Sequence, residues 1–131
     1  MKELNKDFKA RDAIIFDETP DWGEACGGVI RFTDLTLEQL KRLIEGHFIW
    51  LNETQNDSPS TMEFLEFMER YPMVTCHGYA VSPDRDDYRV TIEGLSYKGL
   101  VNRELSDAFL GLCKHADNLS TLQTDLYSWW D

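Results

Sequence analysis

The chain has 131 residues, 42% hydrophobic and 12% aromatic, a balance that excludes disorder and supports one domain with its own core. Twenty-four acids against thirteen bases give a net charge of −11. That charge leaves no basic footprint for direct nucleic-acid binding and repels anionic membrane surfaces.

Residues 1–12 mix both charges around Leu4 and Phe8 and read either as a short helix or as a loose arm. No apolar stretch of a secretory signal is present here, and the longest aromatic-aliphatic run, Phe48–Leu51, is too short to cross a bilayer. Ala13–Phe16 is a short apolar run that predicts a strand, and Val29–Phe32 predicts another. Residues 17–28 between them form a long acid-rich loop, punctuated by Pro20 and three glycines, which reads as a hairpin connection.

Thr36-Leu37-Glu38-Gln39 is a capping box and opens a helix whose Leu37, Leu40, Leu43 and Ile44 share one face; Gly46 suits its C-terminal end. Phe48–Leu51 reads as a buried strand or a packed loop, and Asn52 to Ser58 as polar connection. Ser60 with Glu63 makes a second capping box. The helix it opens puts Phe64, Leu65, Phe67, Met68 and Tyr71 on one side, and Glu63, Glu66 and Glu69 on the other, before Pro72 stops it.

Residues 74–81 and 88–95 predict a hairpin around a turn at 82–87. Pairing Val81 with Asp87 sets small residues against large ones on an inner face: Cys76 opposite Ile92, Gly78 opposite Val90. The same register leaves Thr75, His77, Tyr79, Arg89, Thr91 and Glu93 on a polar outer face. Asn102 caps a third helix reaching about Ala116, and Leu126–Trp130 predicts a terminal strand whose two tryptophans dock that end. The sum is a single α+β domain over residues 1–131, a mostly antiparallel sheet with about three amphipathic helices packed on one face.

No phosphate-binding loop, dinucleotide fingerprint, nucleophile elbow or zinc-protease helix occurs, and no cofactor is implied. Cys76, His77, Cys113 and His115 lack the paired spacing of zinc ligands, so no metal site is assigned. The odd cysteine count, Cys26, Cys76 and Cys113, points to reduced thiols and a cytoplasmic setting.

The leading functional expectation is a small acidic cytoplasmic interaction protein, of inhibitor, immunity or nucleic-acid-mimic type, engaging a basic protein partner. Its candidate binding residues are Asp21, Trp22 and Glu24 in the acid-rich loop and Glu63, Glu66 and Glu69 on the second capped helix. Tryptophan among acids is the residue type of an interface anchor. The alternative is a small enzyme or ligand-binding domain with its site between the 17–28 loop and the polar face of the 74–95 hairpin. There His77, Glu93 and Cys26 are the candidates for acid–base or nucleophilic work, with Arg89 beside them. A third expectation is a homodimer through the sheet edge or the Trp129-Trp130 end.

Overall fold

Both capping boxes form as the sequence demands. The Gln39 amide donates to Thr36 Oγ1 at 3.3 Å and the Thr36 amide donates to Gln39 Oε1 at 2.8 Å; Ser60 and Glu63 repeat the exchange at 3.2 and 3.0 Å. They start helices α2 (Leu37–Glu45) and α3 (Thr61–Arg70). Asn102 accepts from the Leu105 amide at 2.8 Å and starts α4 (Arg103–Cys113). The computed structural model describes residues 3–131 except Asp17, Thr19, Ala25 and the side chain of Cys26.

A fourth helix, α1 (Phe8–Ile15), replaces the strand expected over Ala13–Phe16. Asp7 caps it by accepting from the Ala10 amide at 3.2 Å. Its buried positions are Arg11, Asp12 and Ile15, a helical spacing that the short apolar run alone does not reveal. The 17–28 loop therefore joins a helix to strand β1 (Val29–Leu35) rather than closing a hairpin. At the end of α2 the left-handed residue is His47 (φ 62°), while Gly46 stays near helical geometry (φ −80°). Gly46 supplies space instead: a Cβ there would lie 2.6 Å from the Phe48 ring. Phe48–Leu51 is a packed loop, with Phe48 and Ile49 buried.

The remaining strands are β2 (Thr75–Val81), β3 (Val90–Lys98), β4 (Asn118–Leu122) and β5 (Asp125–Trp129). All five strands pair antiparallel in the order β1-β2-β3-β5-β4. With the four helices of the described residues beside it, the sheet makes an α+β fold.

The β2–β3 register differs from the expected one by two residues. Ala80 faces Val90, Tyr79 faces Thr91 and Gly78 faces Ile92. A shift of two keeps every side chain on its expected face, so the inner and outer assignments survive. A bulge then intervenes, His77 pairing with Gly94 and Cys76 with Leu95, which leaves Glu93 as the extra residue. The inner face packs Cys76, Ala80, Val90, Ile92, Leu95 and Leu126 against Leu40, Leu43, Phe64, Met68 and Phe109 of the helices. Trp130 is buried on that side, edge-on to Phe64 at 5.8 Å. Among the described residues no helix is long and apolar enough to cross a membrane.

Candidate functional site

The outer face of β1–β3 is hollow. A cleft of about 740 Å³ lies over Arg31, Tyr79, Arg89, Thr91 and Glu93, walled by residues 53–56. It falls in the size range of small-molecule sites. Three of the chain's seven arginines, Arg31, Arg85 and Arg89, line it, although the chain as a whole is strongly acidic.

Local sequence explains the wall. Asn56 and Asp57 adopt left-handed geometry (φ 47° and 65°), which these two residue types tolerate, and the turn folds residues 53–58 over the sheet. The Glu53 amide donates to the Trp50 carbonyl at 3.2 Å, and the Thr61 amide to the Glu53 carbonyl at 3.0 Å. Glu53 is thus pinned between the Phe48–Leu51 loop and the start of α3.

The cleft floor is one hydrogen-bonded chain. The Arg89 Nη2 donates to the Tyr79 hydroxyl at 2.8 Å, and that hydroxyl donates to Gln55 Oε1 at 3.0 Å. Gln55 Nε2 donates to Glu93 Oε2 at 3.3 Å and to the Trp130 carbonyl at 3.2 Å. Trp129 Nε1 donates to the same Glu93 oxygen at 3.1 Å, and Arg31 pairs with the other. The guanidiniums of Arg31 and Arg89 also lie 5.8 and 5.4 Å from the Tyr79 ring, within cation–π range. Arg89 is further fixed by Thr91 and Asp87. Each member holds its neighbour's rotamer, which is the preorganisation a binding site needs.

Burial pushes the Glu53 carboxyl up to about 6, against the opposing pull of the Arg89 charge and the Trp50 backbone. His77, expected on an exposed face, is buried beneath β5. Its ring stacks on Tyr127 at 4.9 Å and its Nε2 donates to the Ser128 carbonyl at 2.9 Å. Burial lowers its pKa, with the Ser128 bond and the Glu93 charge opposing, so it is neutral at pH 7. It borders a smaller hollow of about 380 Å³ that shares Arg31 and Glu93 with the cleft.

The acid-rich loop lies elsewhere. Trp22 is half-buried, donates to Asp12 Oδ2 at 2.7 Å and stands 5.2 Å from the Arg11 guanidinium. Asp21 accepts from the Gly23 amide at 2.9 Å, and Glu24 is exposed. Asp17 and the Cys26 side chain lie outside the described residues. The end of the loop meets the hairpin, where Arg85 donates to the Gly27 carbonyl at 2.8 Å, and Asp21 and Trp22 line a separate hollow of about 670 Å³ with Pro83, Asp84 and Tyr88 at the hairpin turn. Glu63, Glu66 and Glu69 are exposed on α3, Glu69 standing 3.7 Å from Lys41. Sequence reasoning brought Glu93 and Arg89 to the right face but missed Arg31, Glu53 and Gln55. The Asn56-Asp57 pair in the polar connection was the available signal that the segment turns back over the sheet.

Among the described residues no group of three or more His, Cys, Asp or Glu side chains could hold a metal ion. No protein-family model matches the chain, and no curated protein or solved structure does either.

Proposed function

We propose that this protein is a ligand-binding domain whose site is the polar cleft on the outer face of β1–β3. The single observation that carries the reading is the continuous chain Arg89–Tyr79–Gln55–Glu93, which fixes five polar side chains, Arg31 included, in one concavity. Side chains locked before a ligand arrives cost little entropy on binding. The notion of a site on the polar hairpin face thus gains support, with its second wall supplied by residues 53–56 in place of the 17–28 loop.

The test is a thermal-shift screen of small charged metabolites on the wild type, Arg31→Gln and Tyr79→Phe. A ligand that stabilises the wild type and loses its effect in both variants supports the cleft. Ligands that act equally on all three sink it.

A second reading keeps the basic protein partner, favoured by one observation: the exposed glutamates of α3 flank Met62, itself 46% exposed. A surface of acids around an exposed apolar side chain suits an electrostatically steered contact. In this reading Glu63, Glu66 and Glu69 act with Asp21 and Glu24, and salt releases the partner. Charge reversal at these five positions that leaves partner capture from lysate unchanged ends the idea. A cytoplasmic setting is supported by the free, buried Cys76 and Cys113.

A further inference from the structure

We infer that the cleft takes a small zwitterion of the amino-acid type, its carboxylate on Arg31 and its ammonium group on Glu53. The inference deepens the ligand-binding reading and rests on it. Most of the cleft's hydrogen-bonding capacity is already spent inside the protein. Tyr79, Gln55 and Glu93 answer one another, and Arg89 is engaged by Thr91, Asp87 and Tyr79.

Arg31 and Glu53, of opposite charge, remain open, and Asp131 adds a second carboxylate to the lining. A guanidinium carries five N–H donors. Arg31 commits one nitrogen to Glu93, and its side chain, 63% exposed, lines the cleft. Its free edge presents parallel donors that match a carboxylate. On the facing wall, the half-buried Glu53 carboxyl accepts no side-chain hydrogen bond among the described residues, and the Arg89 charge only partly offsets its burial. A cation delivered there restores what burial removes.

The two groups stand on different elements, β1 and the 53–56 wall, so one ligand must carry both charges to answer both. A plain dianion would satisfy Arg31 and face Glu53 with like charge. A plain amine would leave Arg31 unanswered. The cleft volume leaves room for a side chain beyond the charged ends.

The experiment is isothermal titration at pH 7.5 with a panel of free amino acids, each beside its N-acetyl derivative and its decarboxylated amine, and with citrate and inorganic phosphate as plain anions. At least one amino acid should bind, with its N-acetyl and amine counterparts weaker by at least about tenfold, the loss expected for one charged hydrogen-bonding group. Glu53→Gln should weaken the amino acid and spare the plain anions, while Arg31→Gln should weaken everything. Arg31→Lys should recover part of the affinity and guards against a folding defect in the glutamine variant.

Equal binding of the N-acetyl derivative, indifference to Glu53→Gln, or no binding by any amino acid overturns the zwitterion. Anion binding that still depends on Arg31 would leave the cleft reading standing while the zwitterion falls. Binding indifferent to Arg31 and Tyr79 would remove both.

Discussion

His77 on β2 is hydrogen-bonded to Ser128 on β5, across the whole width of the intervening strand β3. The crossing is open because the residue opposite His77 is Gly94, over which the imidazole lies. A Cβ on Gly94 would stand 2.8 Å from His77 Nε2 and would overlap the Ser128 carbonyl oxygen. Gly94→Ala is therefore expected to cost about 1–3 kcal/mol, the usual range for overpacking. His77→Phe keeps a ring beside Tyr127 but orphans the Ser128 carbonyl, at about 1–2 kcal/mol. Urea denaturation of both variants checks the pair; unchanged midpoints would mean that the crossing contributes nothing.

Glu53 and His77 shape stability against pH in different windows. Glu53 holds its proton up to about 6 in the fold and to 4.5 when free, so its burial penalty is present above pH 6 and vanishes below 4.5. Glu53→Gln should raise stability at pH 7.5 by on the order of 1 kcal/mol, a figure already reduced for the solvent-facing part of the side chain. The gain should disappear at pH 4. His77 has a lowered pKa, so the unfolded chain takes the proton first. Its contribution is complete above pH 6.5 and is lost as pH falls further. Melting curves of wild type, Glu53→Gln and His77→Gln between pH 4 and 8 separate the two; a Glu53→Gln gain that is the same at both extremes would contradict the assignment.

Glu93→Leu removes the acceptor shared by Gln55 and Trp129 and frees Arg31. The two stranded donors should cost about 1–3 kcal/mol. Loosening of Trp129 should show as a change in tryptophan emission in the folded state. A variant with wild-type emission and stability would show that the carboxylate does not organise this face.

Burial pushes the Cys113 thiol up to about 11 and raises Cys76 further still. Neither should react with iodoacetamide at pH 8 in the native protein, and both should react in urea. Peptide mapping by mass spectrometry reads the outcome; fast native labelling of either would contradict their burial.

Local signals were the legible part of this fold. Thr36, Ser60 and Asn102 announced their helices because a cap is settled within four residues. Asp7 carried the same kind of signal for α1, yet the apolar run at Ala13–Phe16 looked like a strand when read without it. The two faces of the hairpin were legible from alternation, but its register was not. A two-residue shift preserves that alternation, and the bulge at Glu93 answers to β1, β5 and the 53–56 wall rather than to β2 alone. The cleft was half legible for the same reason. Arg89 and Glu93 belong to a readable strand, whereas Arg31, Glu53 and Gln55 join them only through contacts between residues far apart in the chain. Strand β4, polar and marginal in pattern, was missed altogether; it exists by pairing with β5.

The sharing of Glu93 also sets an order of assembly. Its partners come from positions 31, 55 and 129, so the carboxylate cannot be satisfied until residues almost a hundred positions apart have met. Helices with capping boxes can form early from neighbouring residues, while contacts this distant in sequence close late. During synthesis the cleft would be completed only after β5 has emerged. A chain interrupted before β5 would keep its helical segments, but Glu93 would lack Trp129 and the cleft floor would stay incomplete.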